Sequence, residues 1–413
     1  MREMKDSGIS WVGEIPKEWS VWRNKYIFRI TKDIVLPSQN YQLLSLTTTG
    51  IKEKDENDNG GKVPENYDGY QIVKENDLVM CLFDLDCSAV FSGLSLYNGM
   101  ISPAYKVLKV KKRIANEQYY RYWFSYVGSK RFYKQYSKSL RFTLNADEFN
   151  RLFSLLPPIG EQQRIADFLD RECGKIDGLK ADIQAQIDTL EQYKRSIITE
   201  AVTHGLNPSA PMKDSGIPWV GKTPEYWKVG RIGGLYELRN QKVSDKDFMP
   251  LSVTMKGILP QLETAAKTND GDNRKLVRVG DFAINSRSDR RGSCGISDYD
   301  GSVSLINTIL KPRNRMNAKY YNWLFHTPMF ADEFYKWGHG IVDDLWTTNW
   351  SEMKRISIPL PPLDEQQEIA DYLDNKCAEI EQIIADKKSQ IETLDGYKKS
   401  LIYEYVTGKK EVV

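Results

Sequence analysis

The stretch from Gly216 to Thr223, GIPWVGKT, has the spacing G-x-x-x-x-G-K-[ST] of a loop that cradles nucleotide phosphates. That chemistry requires a buried strand running into a glycine-rich turn whose N–H groups face phosphate, with a helix beginning behind it. Here Pro218 has no N–H to donate, Trp219 and Val220 are too bulky to wrap closely around phosphate, and Pro224 follows with no apolar helical stripe after it. The stretch also has a twin. MKDSGISWVGEIPKEW at Met4 to Trp19 returns as MKDSGIPWVGKTPEYW at Met212 to Trp227 with 11 of 16 positions identical, and Glu14-Ile15 stands where the second copy has Lys222-Thr223. A carboxylate there would repel phosphate, so the stretch reads as part of a repeated structural element and not as a nucleotide site.

Other catalytic constellations are equally hard to find. LPPI at Leu156 and LPPL at Leu360 resemble the N-P-P-Y strand end of amino-methyltransferases, but leucine replaces the asparagine that would hold the target amine. No acid pair is followed by the E-x-K of a nuclease, and His204, His326 and His339 are isolated from one another at neither triad nor metal-ligand spacing. The residue types that remain are suited to recognition. After Asp281 an apolar run leads into Asn285, Ser286, Arg287, Ser288, Arg290 and Arg291, with Arg274, Lys275 and Arg278 upstream. Arginine forks pair with guanine edges or phosphate, and Ser and Asn read either. In the first half, KVLKVKKR places Lys106, Lys109 and Lys111 where one strand face could track phosphates, or could equally be a polar outer face. The loop at the matching place, after Asp77, carries Phe83, Asp84, Asp86, Cys87 and Ser88 instead.

Composition allows such a role without announcing it. The 413 residues are 40% apolar and 28% charged with a net charge of +2, so any nucleic-acid contact must come from local clusters. The longest apolar run, Leu78 to Phe83, is far short of the roughly 20 residues that span a bilayer, and the N-terminus lacks the apolar core of a signal peptide. Both point to a cytoplasmic protein with no membrane contact. Cys81, Cys87, Cys173, Cys294 and Cys377 form no C-x-x-C pair, which predicts reduced thiols and no zinc site.

The elements that must position these loops are written twice. Leu156 to Thr203 aligns with Leu360 to Thr407 without gaps, 26 of 48 positions being identical. Each copy predicts one long helix, blocked upstream by its Pro-Pro pair and ended by Gly205 or Gly408 at the left-handed position. Asp364 and Gln367 are expected to form a capping box, with Gly160 and Gln163 at those places in the first copy. Leu169, Ile176, Ile183, Leu190 and Ile197 recur every seven residues, supported by Ile187, and the second copy offers Leu373, Ile380, Ile391, Leu394 and Leu401. This is a coiled-coil seam, interrupted by Lys387, and the other copy is its natural partner. The divergent segments between read as strand-rich globular domains, and the aromatic stretches YYRYWF at Tyr119 and YYNWLF at Tyr320 as core.

Taken together, the M-K-D-S-G-I-x-W-V-G openings, the L-P-P-x-x-E-Q-Q-x-I-A-D-x-L-D helix starts and the K-x-S-I/L-I-x-E-x-V-T helix ends, each present twice in the same order, resemble the specificity subunit of type I restriction-modification systems over essentially the whole chain. The resemblance implies an α+β fold in which two target-recognition domains are joined by two long antiparallel helices forming a coiled coil, an internal pseudo-twofold repeat. The expected boundaries are 1–155 for the first recognition domain, 156–205 for the first spacer helix, 206–358 for the second domain and 359–413 for the second helix. It further implies a non-catalytic chain that binds a split double-stranded DNA site and docks two modification subunits, with restriction subunits as possible further partners. S-adenosylmethionine, ATP and Mg2+ would then belong to the partners, and this chain would hold no cofactor or metal. Two other readings stand beside it on the residues alone. One is a DNA-binding subunit of another modification system or an orphan; the other is a coiled-coil scaffold that never touches DNA.

Overall fold

The computed structural model describes residues 2–35, 41–54, 67, 69–261, 271–313, 316–340 and 346–412. The chain forms two compact units, Met1–Ile183 with Ser389–Val413, and Gln184–Lys388. Each unit therefore contains one strand-rich domain, the start of the helix that follows it in sequence, and the end of the other helix.

The first unit is built on an antiparallel sheet in the order Phe28–Thr31, Lys106–Val110, Leu78–Met80, Ser92–Leu94. Successive strand residues face opposite sides, and both sides here are covered. Leu78 and Met80 join the core shared with the helices, while Val79 joins a second core with Leu44, Leu46 and Ile51. The second unit repeats the plan with Tyr236–Leu238, Asn307–Pro312, Phe282–Asn285 and Cys294–Ile296. Phe282 and Ile284 face the helical side and Ala283 the other. The aromatic stretches lie in the helices Glu117–Ser129 and Ala318–Phe325, capped by Asn116 and Asn317, and bury Tyr119, Tyr120, Trp123, Tyr320 and Tyr321 completely.

The long helices run Ile159–His204 and Leu363–Val406, 46 and 44 residues, or about 69 and 66 Å of rise. Gly205 (φ 76°) and Gly408 (φ 70°) follow their ends in the left-handed conformation. The expected capping boxes do not form; Asp364 lies inside the first turn. Instead each residue of E-Q-Q ties the helix start to its own domain. Glu161 accepts from Trp19 Nε1 (2.9 Å) and from both terminal nitrogens of Arg2, and Glu365 accepts from Trp227 Nε1 (2.9 Å) and the Tyr226 hydroxyl (3.1 Å). Gln162 accepts from the Asn116 backbone N–H and donates to the Ile114 and Pro157 carbonyls; Gln366 accepts from Asn317 N–H and donates to Pro361. Gln163 and Gln367 accept from the side-chain amides of those same asparagines.

Within the first unit the two helix segments run antiparallel: Lys180 pairs with Asp395, and Lys398 with Asp177 at 2.7 Å. In the second unit Lys194 pairs with Glu381 and Lys387 donates to Gln186 at 2.5 Å. Leu169, Ile176, Ile187, Ile197, Leu373, Ile380 and Leu401 are buried; Ile183, Leu190, Ile391 and Leu394 are half-buried. Lys387 is half-buried along the seam, as are Lys180, Lys194 and Lys398, and Ile384 is buried beside it.

GIPWVGKT is a hairpin. Strands Met212–Ile217 and Gly221–Pro224 pair with each other, and the next element, Lys228–Arg231, is a strand that pairs with Ser357–Leu360. Trp219 Nε1 donates to the Ser357 carbonyl at 3.1 Å, so the supposed phosphate loop is closed by its own hairpin. Among the described residues no helix is long and apolar enough to cross a membrane.

Candidate nucleic-acid interface

In the second unit the strand Phe282–Asn285 delivers the chain from the core to a short 3-10 turn at Ser288–Arg290. The entry is fixed by Asp281, whose carboxylate receives Arg239 in two hydrogen bonds (2.5 and 3.0 Å) and the Arg278 N–H (2.9 Å). Gly280, at φ 85°, makes the turn before it. The exit is fixed from a distant segment: Ser288 N–H donates to Trp346 O and Thr348 N–H to Ser286 O, both at 3.0 Å.

The expected recognition residues separate into two groups. Arg287, Ser288, Arg290 and Arg291 lie on the turn and reach solvent, with Arg290 the most exposed of the three arginines at 68% of its side chain. Arg287 and Arg290 flank Asp289, at 3.0 and 3.8 Å, and Arg291 contacts Asp332 and lies over the Tyr335 ring. Asn285 and Ser286 are buried and must be corrected from readers to scaffolding. The Asn285 carboxamide oxygen accepts the Arg287 N–H at 3.1 Å, and the Ser286 hydroxyl meets Thr308 at 3.0 Å.

Arg274 and Lys275 need the same correction. Arg274 is 5% exposed on an interior strand, where it donates to the hydroxyl and the carbonyl of Ser302, both at 2.9 Å. Lys275 donates to the Asn307 carbonyl at 2.6 Å, and burial pushes its ammonium pKa below the ordinary lysine value. Both cations hold strands together, and neither is presented to a ligand.

In the first unit the lysine strand is not a polar face. It lies between two other strands of the sheet, with Val107 and Leu108 buried on opposite sides. Lys106 and Lys109, three residues apart, therefore point to opposite faces. Lys109 pairs with Asp33 at 3.7 Å, and Lys111, beyond the strand, donates to the Lys25 carbonyl at 3.0 Å. The three do not form one phosphate-tracking row. Asp332 and the segment around Trp346 escaped the sequence reading, because their partners Arg291 and Ser288 are brought in by the fold from 40 or more residues away and no local pattern marks them; Asp289 lies within the turn itself, between Arg287 and Arg290.

The described residues hold no cluster of His, Cys, Asp and Glu suited to a metal, and all five cysteines are free thiols. The strand end of the second unit presents a donor-rich turn to solvent.

Comparison with known proteins agrees with this arrangement. Residues 224–393 match the family model of the type I restriction modification DNA specificity domain. A putative type I restriction enzyme MjaX specificity subunit of Methanocaldococcus jannaschii is 23% identical, with 97% of this chain and 96% of the relative covered. The MjaVIII specificity subunit of the same organism is 23% identical over 83% of this chain and 80% of its own. Among solved structures, a chain from work on the assembly and conformational transition of the type I R-M system matches with a TM-score of 0.71 at 14% identity, covering 96% of this chain and 99% of that one. The HsdS subunit from Thermoanaerobacter tengcongensis matches with a TM-score of 0.52 at 15% identity, covering 96% and 98%. The solved structures share the mixed helix-and-sheet fold with its two strand-rich domains and long helices. Residues 224–393 thus match the type I restriction modification DNA specificity domain, and over most of its length the chain is similar to specificity subunits of type I restriction enzymes.

Proposed function

We propose that the chain reads an asymmetric, bipartite double-stranded DNA site, one half-site per strand-rich domain, while its helices dock two modification subunits. The observation that carries this reading is the pair of equivalent strand-to-loop devices, Leu78–Met80 with its loop and Phe282–Asn285 with its loop, which share their scaffold and differ in every displayed side chain. Helices that repeat one pattern, with 26 of 48 aligned positions identical, suit two copies of one partner, and unlike loops suit two unlike half-sites. Methyl transfer from S-adenosylmethionine and ATP- and Mg2+-dependent cleavage belong, on this reading, to modification and restriction subunits. The setting is the cytoplasm.

The reading is favoured over a DNA-free scaffold by the solvent-facing arginine turn of the second unit, which a scaffold has no use for. Co-expression with a modification subunit from the same host tests it. A complex of two modification subunits per chain that methylates adenine in duplex DNA is expected. A chain that captures no modification subunit, or a complex whose methylation ignores sequence, contradicts it.

A further inference from the structure

The half-site surface of the first domain is the part that sequence left unplaced, and the duplication offers a way to find it. In both units the loop after the central strand is backed by the segment that precedes the next helix. Thr348 N–H donates to Ser286 O, and Leu144 N–H donates to Leu82 O at 2.7 Å, the same pair displaced by one repeat. Ser288 N–H meets Trp346 O in the second unit, and Asp84 N–H meets Arg141 O at 3.1 Å in the first. The device is common, but its charge is exchanged. Where the second loop has Arg290, the first has Asp86; where Phe334-Tyr335-Lys336 follows Asp332-Glu333, Phe132-Tyr133-Lys134 follows Lys130-Arg131. The cations have moved from the loop to the wall behind it, and the acids the other way.

From Lys130 to Phe142 the wall carries Lys130, Arg131, Lys134, Lys138 and Arg141 and no carboxylate. Lys130, Arg131, Lys138 and Arg141 are exposed, as is Leu140 completely. The corner is held in an unusual backbone shape. Among the described residues, three of the four non-glycine positions with positive φ fall in it: Asp84 at 50°, Arg131 at 53° and Phe142 at 43°. Such strain persists only where surrounding contacts over-determine it, and it gathers at functional surfaces. The contacts are visible: Arg141 clamps Asp84 in two hydrogen bonds (3.0 and 2.9 Å), and Lys134 lies over the Phe142 ring at 4.5 Å.

We infer that the first domain engages its DNA half-site through the wall Lys130–Phe142, with Lys130, Arg131 and Lys138 on the phosphates, and not through its acidic loop or its lysine strand. The inference rests on the proposed DNA reading and adds the surface that performs it. Arg141 is a positioning residue, because its fork is committed to Asp84.

The test uses the full-length chain and a pool of randomised duplex DNA, sequenced after selection, with affinity followed against salt. Replacing Lys130, Arg131 and Lys138 by Ala removes the phosphate anchors that hold the whole first domain on the duplex, so it is expected to undock that domain and with it selection of one half-site, leave the other intact, and lower the salt slope by roughly three, about 0.9 per lost phosphate contact. Lysine-to-arginine and arginine-to-lysine exchange at the same positions should restore the slope. An unchanged melting curve establishes folding, and if the triple variant melts early, Lys138→Glu alone should weaken binding at the same half-site. Both half-sites retained with an unchanged slope would overturn the inference while leaving the DNA reading standing. Lost capture of a modification subunit with DNA selection unchanged would overturn it in favour of a protein-docking wall. A wild-type chain that selects no sequence would fail the DNA reading itself.

Discussion

Arginine is the residue type on which recognition turns, and this chain uses it in two opposite ways a few residues apart. Arg274 spends its fork on Ser302 inside the second domain, whereas Arg290 projects from the turn. Their substitutions should therefore read out differently. Arg290→Ala should cost about 1–3 kcal/mol at one base pair of one half-site if it makes a bidentate guanine contact, and competition with single-base variants detects this. Uniform weakening across all sequences would assign it to phosphate. Arg274→Met should instead lower stability by about 1–3 kcal/mol, since the buried Ser302 carbonyl loses its donor, and leave base preference unchanged. A denaturant melt separates the two. The sequence made the Arg287–Arg291 turn legible because it follows an apolar run that can only be a strand. It did not separate Arg274, Asn285 and Ser286 from that turn, because which face of a short strand is covered depends on the hairpins packed over it.

At the scale of elements, the helix starts show how far local rules reach. The Pro-Pro pairs and the left-handed glycines mark the helix limits from sequence alone, and both helices lie within them. The capping-box expectation failed for a physical reason. Gln162 and Gln163 find partners on Asn116, 46 and 47 residues away, and Gln366 and Gln367 find them on Asn317, 49 and 50 residues away. A tertiary donor outcompetes the local one, and nothing in the spacing of the motif announces it. Gln162 is fully buried and serves three backbone groups. Gln162→Ala should therefore destabilise the first unit by about 2–4 kcal/mol, whereas Gln163→Ala, at an exposed position, should cost under about 1 kcal/mol. Equal losses in urea melts of the two variants would show that the buried glutamine is not the anchor.

For the molecule as a whole, duplication was the most legible feature of all, since a constant displacement of sequence survives any divergence of the loops. It predicts paired architecture, and both units share one sheet order, one helix clamp and one strand-to-loop device. What duplication does not reveal is how each copy was altered. The exchange of charge between Asp86 and Arg290, and between Lys130-Arg131 and Asp332-Glu333, becomes meaningful only when the fold places loop against wall. The central claim is that one scaffold presents two unlike reading surfaces. Mapping methylated adenines in a host that carries the chain with its modification subunits tests it most directly. The account predicts that methylation depending on this chain falls within a single asymmetric motif of two different half-sites separated by a fixed stretch of unread bases. A contiguous or palindromic motif, or a methylation pattern unchanged when the chain is deleted, would contradict it.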